Sequence, residues 1–543
     1  MKPFGPTAAY AREELEIEPG LEAAPARNRV RFLAIGVFAV LLLLAGRAIQ
    51  LAFSGDPLAA PRAGTSATVS RADIVDRNGV LLATTVRAYA LTATPSRVWN
   101  ARETARALMR IFPDLDRAAT ERRLGDTSRQ LIYLRRSLTP EERERVLALG
   151  LGGIGFEAED RRVYPNGALA AQALGFTDVD LNPLAGVERG LDEQIRAAGA
   201  AGRPVRLTID VRIQHALEVE LAAAAQSAGA DSGAAILLDG RTGQTLALAS
   251  WPNFDPNEAG QASEAARRDR VAGDVHELGS TMKPFTVAMA LQEQLTTSGE
   301  LFDLAPFEID GSRIEDHEPI TGYATLRDIL ARSSNIGAAR LALRLGGQRQ
   351  RTYLERLGLT SPATLEVGRN QAPLAPRAGG RRDIAGLGFG YGLAATPVAL
   401  AGAYTVFTNQ GARVAPTLVM REQPQAHTPV FQPQVARQLI LYMRATVTDG
   451  TGRAADVPGL EVAGKTGTAE KLGADAAYDE GRNFSSFAGV FPASNPRYVI
   501  VVALDDTGAG EAGGVVAAPA VARILRRVAP MLGLSVTPRA PTR

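Results

Sequence analysis

The chain has 543 residues, too many for one ordinary hydrophobic core, so about two to four domains are predicted. A formal net charge of +2, from 60 basic and 58 acidic residues, leaves no basic footprint for a nucleic acid. Cysteine is absent, which excludes disulfides, cysteine-based zinc sites, iron–sulfur clusters and thiol catalysis. The four histidines are scattered, so no metal and no cofactor are predicted, although composition leaves carboxylate sites open.

Lysine is rare in this chain. Only Lys2, Lys283, Lys465 and Lys471 occur among the 60 basic residues, and all the others are arginine. Arginine stays charged, whereas a buried lysine can lose its proton and act as a base. Base composition alone would explain the bias, but each lysine is a candidate for chemistry.

The first predicted element is a membrane anchor. A largely apolar run covers residues 32–53 and would be about 33 Å long as a helix, enough to cross a bilayer. Three arginines stand just before the run, as is typical of the cytoplasmic side. We therefore predict a cytoplasmic tail at 1–26, a transmembrane anchor at 27–53 and an external location for the rest. A cleaved signal peptide is the alternative, but its charged region would be unusually long.

After a predicted linker at 54–66, strand and helix patterns follow one another. Asn78-Gly79 stands between two apolar runs over 67–90, a strong hairpin signal. In chain order we then predict helices over 101–150, loops over 155–200, a helix over 216–229, a second hairpin over 234–250, mainly helices over 280–450, strands over 484–506 and a last helix over 517–528. Helices bracketed by strands of an antiparallel sheet indicate an α+β fold.

The first candidate for chemistry is Ser280-Thr281-Met282-Lys283. On a helix that begins near the serine, Ser280 and Lys283 would share one face, about 5–6 Å apart at Cβ. The helix N-terminus and burial both disfavour the ammonium form, so a neutral Lys283 could take the proton of the Ser280 hydroxyl. Taken alone, the motif also fits a helix cap followed by a surface lysine.

The second candidate is Ser333-Ser334-Asn335, between two helical patterns. A hydroxyl can relay a proton, and a carboxamide can bind a peptide amide through its donor and its acceptor together. Taken alone, this motif also fits a helix terminus with its cap.

The third candidate is Lys465-Thr466-Gly467-Thr468, which the flanking patterns place on a strand. Gly467 has no side chain, so a substrate backbone could approach and pair with this strand. Lys465 and the two threonine hydroxyls would suit a substrate carboxylate. The glycine spacing of a P-loop is absent, and the remaining alternative is a glycine-containing strand end.

The order of the three motifs is more specific than any one of them. Ser-x-x-Lys, Ser-x-Asn and Lys-Thr-Gly follow one another once each, which is the signature of the penicillin-recognising serine acyltransferases. From residue 27 to about 530 the chain resembles the class B penicillin-binding proteins, and most closely the division-specific transpeptidases of the FtsI type. The blocks that carry this resemblance are SRADIVDRNGVLLATTV (70–86), RRVYPNGALAAQALGFTDVDLNPLAGVERGLDEQI (161–195), VRLTIDVRIQHALEVEL (205–221), GLGFGYGLAATPVALAGAYTVFTNQG (386–411) and GGVVAAPAVARIL (513–525).

The resemblance implies an architecture for the external part of the chain. A β-rich, non-catalytic pedestal of the dimerisation type would cover 67–204. A penicillin-binding transpeptidase domain, an antiparallel sheet flanked by helices, would cover 205–532. A flexible C-terminal tail would cover 533–543.

The resemblance also implies a reaction, the cross-linking of peptidoglycan stem peptides through a serine acyl-enzyme during cell division, with inhibition by β-lactams. Ser280 would attack the penultimate D-Ala, Lys283 would take its proton, and Ser333 with Lys465 would help the terminal D-Ala leave. The implied substrate-binding residues are Asn335, Thr466, Gly467 and Thr468, and the implied oxyanion hole is formed by the backbone N–H groups of Ser280 and Thr468.

The sequence differs from the family pattern in two places. The family often has Glu-Pro-Gly-Ser where this chain has Glu277-Leu278-Gly279-Ser280, which puts the shape of the turn in question. The loop at 505–514 is unusually rich in glycine and aspartate.

Several other classes share the three motifs. A β-lactamase is usually a small soluble domain, whereas this chain has a predicted anchor and pedestal. A D,D-carboxypeptidase differs only in accepting water, and a class A penicillin-binding protein would need a larger domain before the catalytic one. An elongation-specific class B transpeptidase and a catalytically silent divisome scaffold are the nearest alternatives.

The resemblance finally implies partners and a location. The partners would be the D-Ala-D-Ala donor and amine acceptor peptides, a polytopic lipid II polymerase of the FtsW type, other division proteins and the membrane itself. The location would be the division site of the bacterial inner membrane, with a single pass, a cytoplasmic N-terminus and a periplasmic catalytic domain.

Overall fold

A computed structural model describes residues 32, 35–47, 71–375, 379–421, 423, 425–472, 478–507 and 513–536, the side chains of 470–482 excepted. Residues 35–47 are helical and form α1. The remainder of the predicted anchor, the predicted cytoplasmic tail, the linker at 54–66 and the end of the predicted C-terminal tail lie outside the described residues. Within the described ranges, no helix has both the length and the apolar character needed to cross a membrane.

Residues 71–206 form a mixed sheet with helices. The elements are β1 (Ile74–Val75), β2 (Leu81–Ala93), α2 (Ala101–Met109), α3 (Arg117–Gly125), β3 (Ile132–Leu138), α4 (Pro140–Leu147), β4 (Ile154–Val163), α5 (Ala171–Leu174), α6 (Gly186–Gly190), α7 (Asp192–Ala200) and β5 (Val205–Arg206). The strand order is β3-β2-β1-β5, and β4 also pairs with β2. This part of the chain is therefore mixed α+β. The predicted β-rich pedestal has the expected strands, but it also contains six α-helices among the described residues.

Local sequence explains most of these elements. The predicted hairpin around Asn78-Gly79 is confirmed, since β1 and β2 are antiparallel and Gly79 has a φ of +90°. The prediction of helices throughout 101–150 was wrong at β3, which pairs antiparallel with β2. Alternate residues of β3 point into a small core, with Ile132 and Leu134 buried, while its arginines obscure this alternation in the sequence.

The second part of the chain contains the larger sheet. Its elements are α8 (Val211–Ser227), β6 (Ser232–Asp239), β7 (Gln244–Trp251), α9 (Glu264–Arg267), α10 (Arg270–Gly273), β8 (His276–Glu277), α11 (Lys283–Gln292), β9 (Phe302–Asp303), β10 (Phe307–Ile309), β11 (Ser312–Ile314), β12 (Tyr323–Ala324), α12 (Leu326–Ala331), α13 (Asn335–Leu345), α14 (Gly347–Arg356), α15 (Arg381–Leu387), β13 (Ala394–Ala395), α16 (Pro397–Tyr404), β14 (Ala412–Arg413), β15 (Thr428–Pro429), α17 (Pro433–Thr448), β16 (Ala463–Leu472), β17 (Tyr478–Phe491), β18 (Tyr498–Thr507) and α18 (Ala517–Val528). The five-stranded antiparallel sheet has the order β16-β17-β18-β6-β7.

Both faces of this sheet are covered, because alternate residues of each strand point to opposite sides. On β6, Ile236 joins the core that includes α11 and α16, while Leu237 joins the core formed with α8 and α18. Helix α8 begins at Val211, earlier than predicted, because the Asp210 side chain accepts a hydrogen bond from Arg212 N at its N-terminus. The predicted second hairpin and the predicted last helix are confirmed as β6–β7 and α18.

A buried ion cluster joins two of the sequence blocks singled out above. Glu188 is fully buried and accepts hydrogen bonds from Arg71 Nε (3.0 Å) and Nη2 (2.6 Å) through one carboxylate oxygen. Its other oxygen accepts one from Arg162 Nε (2.7 Å). Both guanidinium groups are almost completely buried. These contacts fix the start of the predicted pedestal to β4 and α6, and the adjacent hydrophobic core continues into the second part of the chain.

Candidate active site

Ser280 lies in a tight turn between a short strand and a helix. Residues 279–282 form a 3₁₀ turn, and the α-helix α11 begins only at Lys283. The helix was predicted to begin near the serine, so its observed start is three residues later. Gly279 has a φ of +50°, and a methyl group there would lie 3.0 Å from the Thr468 carbonyl oxygen on β16. Leu278 adopts a φ of −68°, the value that a proline ring would impose, and its N–H donates to Leu393 O (3.1 Å), a hydrogen bond that a proline could not make.

Lys283 is completely buried and makes three hydrogen bonds. In the ammonium form its Nζ donates to Ser333 O (2.6 Å), Ser333 Oγ (3.1 Å) and Asn335 Oδ1 (2.7 Å); the neutral amine has two N–H groups and can accept from Ser333 Oγ instead. Among the described groups it makes no hydrogen bond with Ser280, so direct proton transfer between these two side chains stays a prediction. Among the described residues, every hydrogen-bond partner of this amine belongs to the second motif.

Ser333 bridges the nucleophile candidate and the amine. Its hydroxyl lies 3.0 Å from Ser280 Oγ, to which it donates, and it accepts from Lys283 Nζ. Ser333 has a φ of +63°, a left-handed conformation that side-chain-bearing residues seldom adopt. Because a hydroxyl can rotate its hydrogen, Ser333 can pass a proton between Ser280 and Lys283 in either direction.

The electrostatics of the site favour neutral amines. Burial lowers the pKa of Lys283 well below its ordinary value, repulsion from Lys465 acts in the same direction, and Asp316 opposes both. Burial also lowers the pKa of Lys465 to about 7. Burial therefore favours the neutral form of both amines, and a neutral amine can accept a proton.

The third motif lies on β16, the outer strand of the sheet. Lys465 Nζ is buried and donates to Thr466 O (3.0 Å) and Thr466 Oγ1 (3.3 Å), with no hydrogen bond to Ser333 among the described residues. Thr466 Oγ1 lies 2.7 Å from Thr451 Oγ1, and Thr468 Oγ1 accepts from a backbone N–H at 3.1 Å. The strand thus presents two hydroxyls and a buried amine beside the Ser280 turn.

One backbone N–H group of the candidate oxyanion hole, that of Ser280, is free to bind an oxyanion. The Ser280 backbone N–H makes no hydrogen bond to another described group, and the turn that carries it abuts Thr468. On an outer strand, alternate N–H groups point away from the sheet. The Ser280 N–H and an outward-pointing N–H of β16 could therefore both donate to one oxyanion placed between the turn and the strand.

Sequence reasoning missed three residues that support the site. Glu277 Oε1 accepts from Gly392 N (2.9 Å) and ties the 390–392 loop to the strand before Ser280. Thr451 contacts Thr466, and Asp316 contacts the second motif. Glu277 stands in the block before Ser280, whereas Thr451 and Asp316 lie in no recognisable motif, and only the fold shows that all three support the site. Among the described residues, no cluster of three His, Asp or Glu side chains could hold a metal ion.

Gly467 offers a direct test of the packing between β16 and the Ser280 turn. A methyl group at this position would lie 2.4 Å from Ser486 Oγ and 2.9 Å from Thr281 Cγ2. We expect Gly467→Ala to slow acylation of Ser280 about 10²-fold, because sub-ångström misplacement of reacting groups is costly. The measurement is the rate of covalent labelling by a fluorescent penicillin, with Gly260→Ala, whose added methyl would meet no atom within 4 Å, as the control. Equal rates for both variants would contradict the expectation.

Two family models match this chain. The penicillin binding protein transpeptidase domain matches residues 233–526. The penicillin-binding protein dimerisation domain matches residues 66–197. Together they span the larger sheet from residue 233 onward, the candidate site and most of the pedestal, while α8 lies between the two matched ranges.

Relatives and a solved structure agree with the models. The chain is 40% identical, over 86% of its length and 82% of the relative, to the probable peptidoglycan D,D-transpeptidase FtsI of Caulobacter vibrioides. It is 33% identical, over 84% of its length and 83% of the relative, to the peptidoglycan D,D-transpeptidase FtsI of Escherichia coli K12. The crystal structure of penicillin binding protein 3 from Mycobacterium tuberculosis, complexed with aztreonam, superposes with a TM-score of 0.68 at 25% identity, covering 86% of this chain and 97% of the other.

Proposed function

The chain belongs to the penicillin-binding protein transpeptidase family, and from that premise we propose that it is the peptidoglycan D,D-transpeptidase of cell division. The observation that carries the proposal is the contact chain from Ser280 through Ser333 to Lys283, beside the hydroxyls of β16. The names of its FtsI relatives support a role in division over one in elongation. The assembled site supports an enzyme over a silent scaffold.

The first half of the proposed reaction acylates Ser280. Its Oγ attacks the carbonyl carbon of the penultimate D-Ala, and its proton passes through Ser333 Oγ to Lys283 Nζ. The new ester bond forms as the C–N bond to the terminal D-Ala breaks. The same proton returns through Ser333 to the departing amine, so that Lys283 is neutral again at the end of this step.

The second half releases the cross-linked product. An amine of a neighbouring stem peptide attacks the ester carbonyl and gives up a proton, and Ser280 Oγ leaves and is reprotonated along the same path. The backbone N–H groups of Ser280 and Thr468 would stabilise the oxyanion in both halves, with each donor contributing about 3–4 kcal/mol by comparison with other acyl-transfer enzymes.

The other motif residues have proposed roles in binding. Thr466, Thr468 and Lys465 would hold the terminal carboxylate, and Gly467 would let the donor backbone approach β16. Asn335 would orient the donor peptide, for which its amide must exchange one of its present contacts. Its Oδ1 accepts from Lys283, and its Nδ2 donates to Glu315 O (3.2 Å).

The proposed setting is the inner membrane at the division site. The apolar run over 32–53, of which 35–47 are helical, supports a single-pass anchor with the catalytic part in the periplasm. The domain boundaries that we propose remain 67–204 for the pedestal and 205–532 for the transpeptidase. Proposed partners are donor and acceptor stem peptides, an FtsW-type lipid II polymerase, other division proteins and, as covalent inhibitors, β-lactams.

Covalent labelling by a fluorescent penicillin tests the proposed function. We expect a stable label on the full chain and none on Ser280→Ala, because the label is an ester of Ser280. A label that decays within seconds would instead indicate a β-lactamase-like hydrolase. Absence of label on the folded wild-type chain would contradict the proposed activity.

A further inference from the structure

A buried carboxylate lies directly behind the second motif. Asp316 follows β11 and is only 9% exposed, although both of its neighbours in sequence are exposed. One of its oxygens accepts from Ser334 Oγ (2.7 Å), and the other accepts from Ile336 N (2.9 Å). Asp316 therefore holds the residues immediately before and after Asn335.

These contacts fix the backbone on which Ser333 and Asn335 sit. Ser334 Oγ also accepts from Gly337 N (3.0 Å), so one hydroxyl links Asp316 to the first turn of α13. The neighbouring Glu315 carbonyl accepts from Asn335 Nδ2. Ser333 itself is in the left-handed region, a conformation that persists only where surrounding contacts impose it. The 315–316 segment supplies such contacts.

Asp316 also carries a charge that acts on Lys283. Among the described residues it makes no ion pair with an arginine or a lysine, and its two oxygens are occupied by neutral donors. The charged groups that act on Lys283 are Lys465, on β16, and Asp316, across the second motif. Asp316 is thus the negative charge that offsets the repulsion between the two buried amines.

We propose that Asp316 is a positioning residue for acyl transfer, which holds Ser333 and Asn335 against Lys283 and stabilises the ammonium that Lys283 becomes when it takes the proton of Ser280. The inference rests on the proposed function, in which Lys283 must be neutral to receive a proton. Asp316 does not contact the reacting atoms. It acts through Ser334, Ile336 and the electrostatic field at Lys283.

The pH dependence of the acylation rate distinguishes the effect of the Asp316 charge from the effect of its hydrogen bonds. Asn in place of Asp316 can still accept from Ile336 N and can donate to Ser334 Oγ, but it carries no charge. A carboxylate favours the ammonium form of Lys283, so its loss makes the neutral amine available at lower pH. We expect the acid limb of the acylation rate by fluorescent penicillin to move about 0.5–1 pH unit lower in Asp316→Asn, while the plateau rate changes less than about threefold.

Two further variants separate this role from a purely structural one. Ser334→Ala keeps the charge but breaks the link to α13, so we expect a plateau about tenfold lower with an unmoved acid limb. Glu318→Gln removes an exposed charge two residues away and is expected to match the wild type, because solvent screens it. An Asp316→Asn profile identical to that of Glu318→Gln would overturn the electrostatic role. An unchanged plateau in Ser334→Ala would overturn the positioning role, even if Asp316→Asn fails to fold.

The failure of this inference can be distinguished from failure of the proposed function. If the wild-type chain is not acylated at any pH, the proposed serine acyl transfer fails and the inference with it. If the wild type is acylated with a pH-dependent rate and the variants do not differ from it, only the role of Asp316 is lost.

Discussion

Lys283→Met is expected to slow the acylation of Ser280 by a penicillin about 10²–10⁴-fold, the range that a positioned general base typically contributes. Methionine has a similar length and no proton-accepting amine. In the wild type, the Lys283 amine is fully buried and reaches Ser280 through the Ser333 hydroxyl. Without it, the proton of Ser280 has no acceptor within this chain of contacts.

Lys283→Arg distinguishes a base from a structural cation. Arginine keeps the positive charge and can donate to Ser333 O and Asn335 Oδ1, but it stays protonated at any useful pH. We therefore expect it to be as slow as Lys283→Met. The measurement is the single-turnover labelling rate of both variants at pH 7 and 9, with melting temperatures as the control for folding. Labelling of either variant within tenfold of the wild type would assign the base to another group.

Glu188→Ala is expected to produce the largest loss of stability among single substitutions in the pedestal. It leaves the guanidinium groups of Arg71 and Arg162 buried without their shared carboxylate. Removing one partner of a buried pair costs about 3–5 kcal/mol, because the remaining charge stays desolvated. Since the adjacent core continues into the catalytic part, we also expect penicillin labelling to be lost at a lower temperature than in the wild type.

Asp192→Asn is the matched control for Glu188→Ala. Asp192 also contacts Arg71, but its side chain is 27% exposed and a second arginine, Arg196, lies beside it at 3.0 Å. Arg71 keeps its contacts with Glu188 in this variant, so the melting temperature should fall only slightly. Thermal unfolding, with residual labelling as the second readout, compares the two variants. A melting temperature of Glu188→Ala equal to that of Asp192→Asn would show that the cluster is not a main determinant of stability.

The sequence predicted the three site motifs because each is short and each uses residue types that are scarce or distinctive here. Lys283 and Lys465 stand out in a chain whose cations are almost all arginine, and Ser333 falls between two helical patterns. The structure brings all three motifs to one place. It also inserts Ser333 between Ser280 and Lys283, an arrangement that depends on the left-handed backbone at Ser333 and could not be read from spacing.

Other residues were not predictable because their sequence surroundings are misleading. Asp316 stands in a run of charged and polar residues that is typical of a solvated loop, yet the packing of that loop on α13 buries it. Strand β3 was predicted as helix because its arginines obscure the alternation that its pairing with β2 imposes. In each case the deciding interaction joins residues far apart in the chain.

The sequence by itself determined the class of the molecule. Hydrophobic periodicity specifies strands and helices locally, Asn78-Gly79 specifies a turn, and the order of the motifs specifies serine acyl-transfer chemistry. Only the tertiary structure decided the contact chain from Ser280 through Ser333 to Lys283, the burial of the two amines and the placement of Asp316 and Glu188. These depend on desolvation and on contacts between segments that are tens to more than a hundred residues apart, such as Arg71 with Glu188, and no local pattern encodes them.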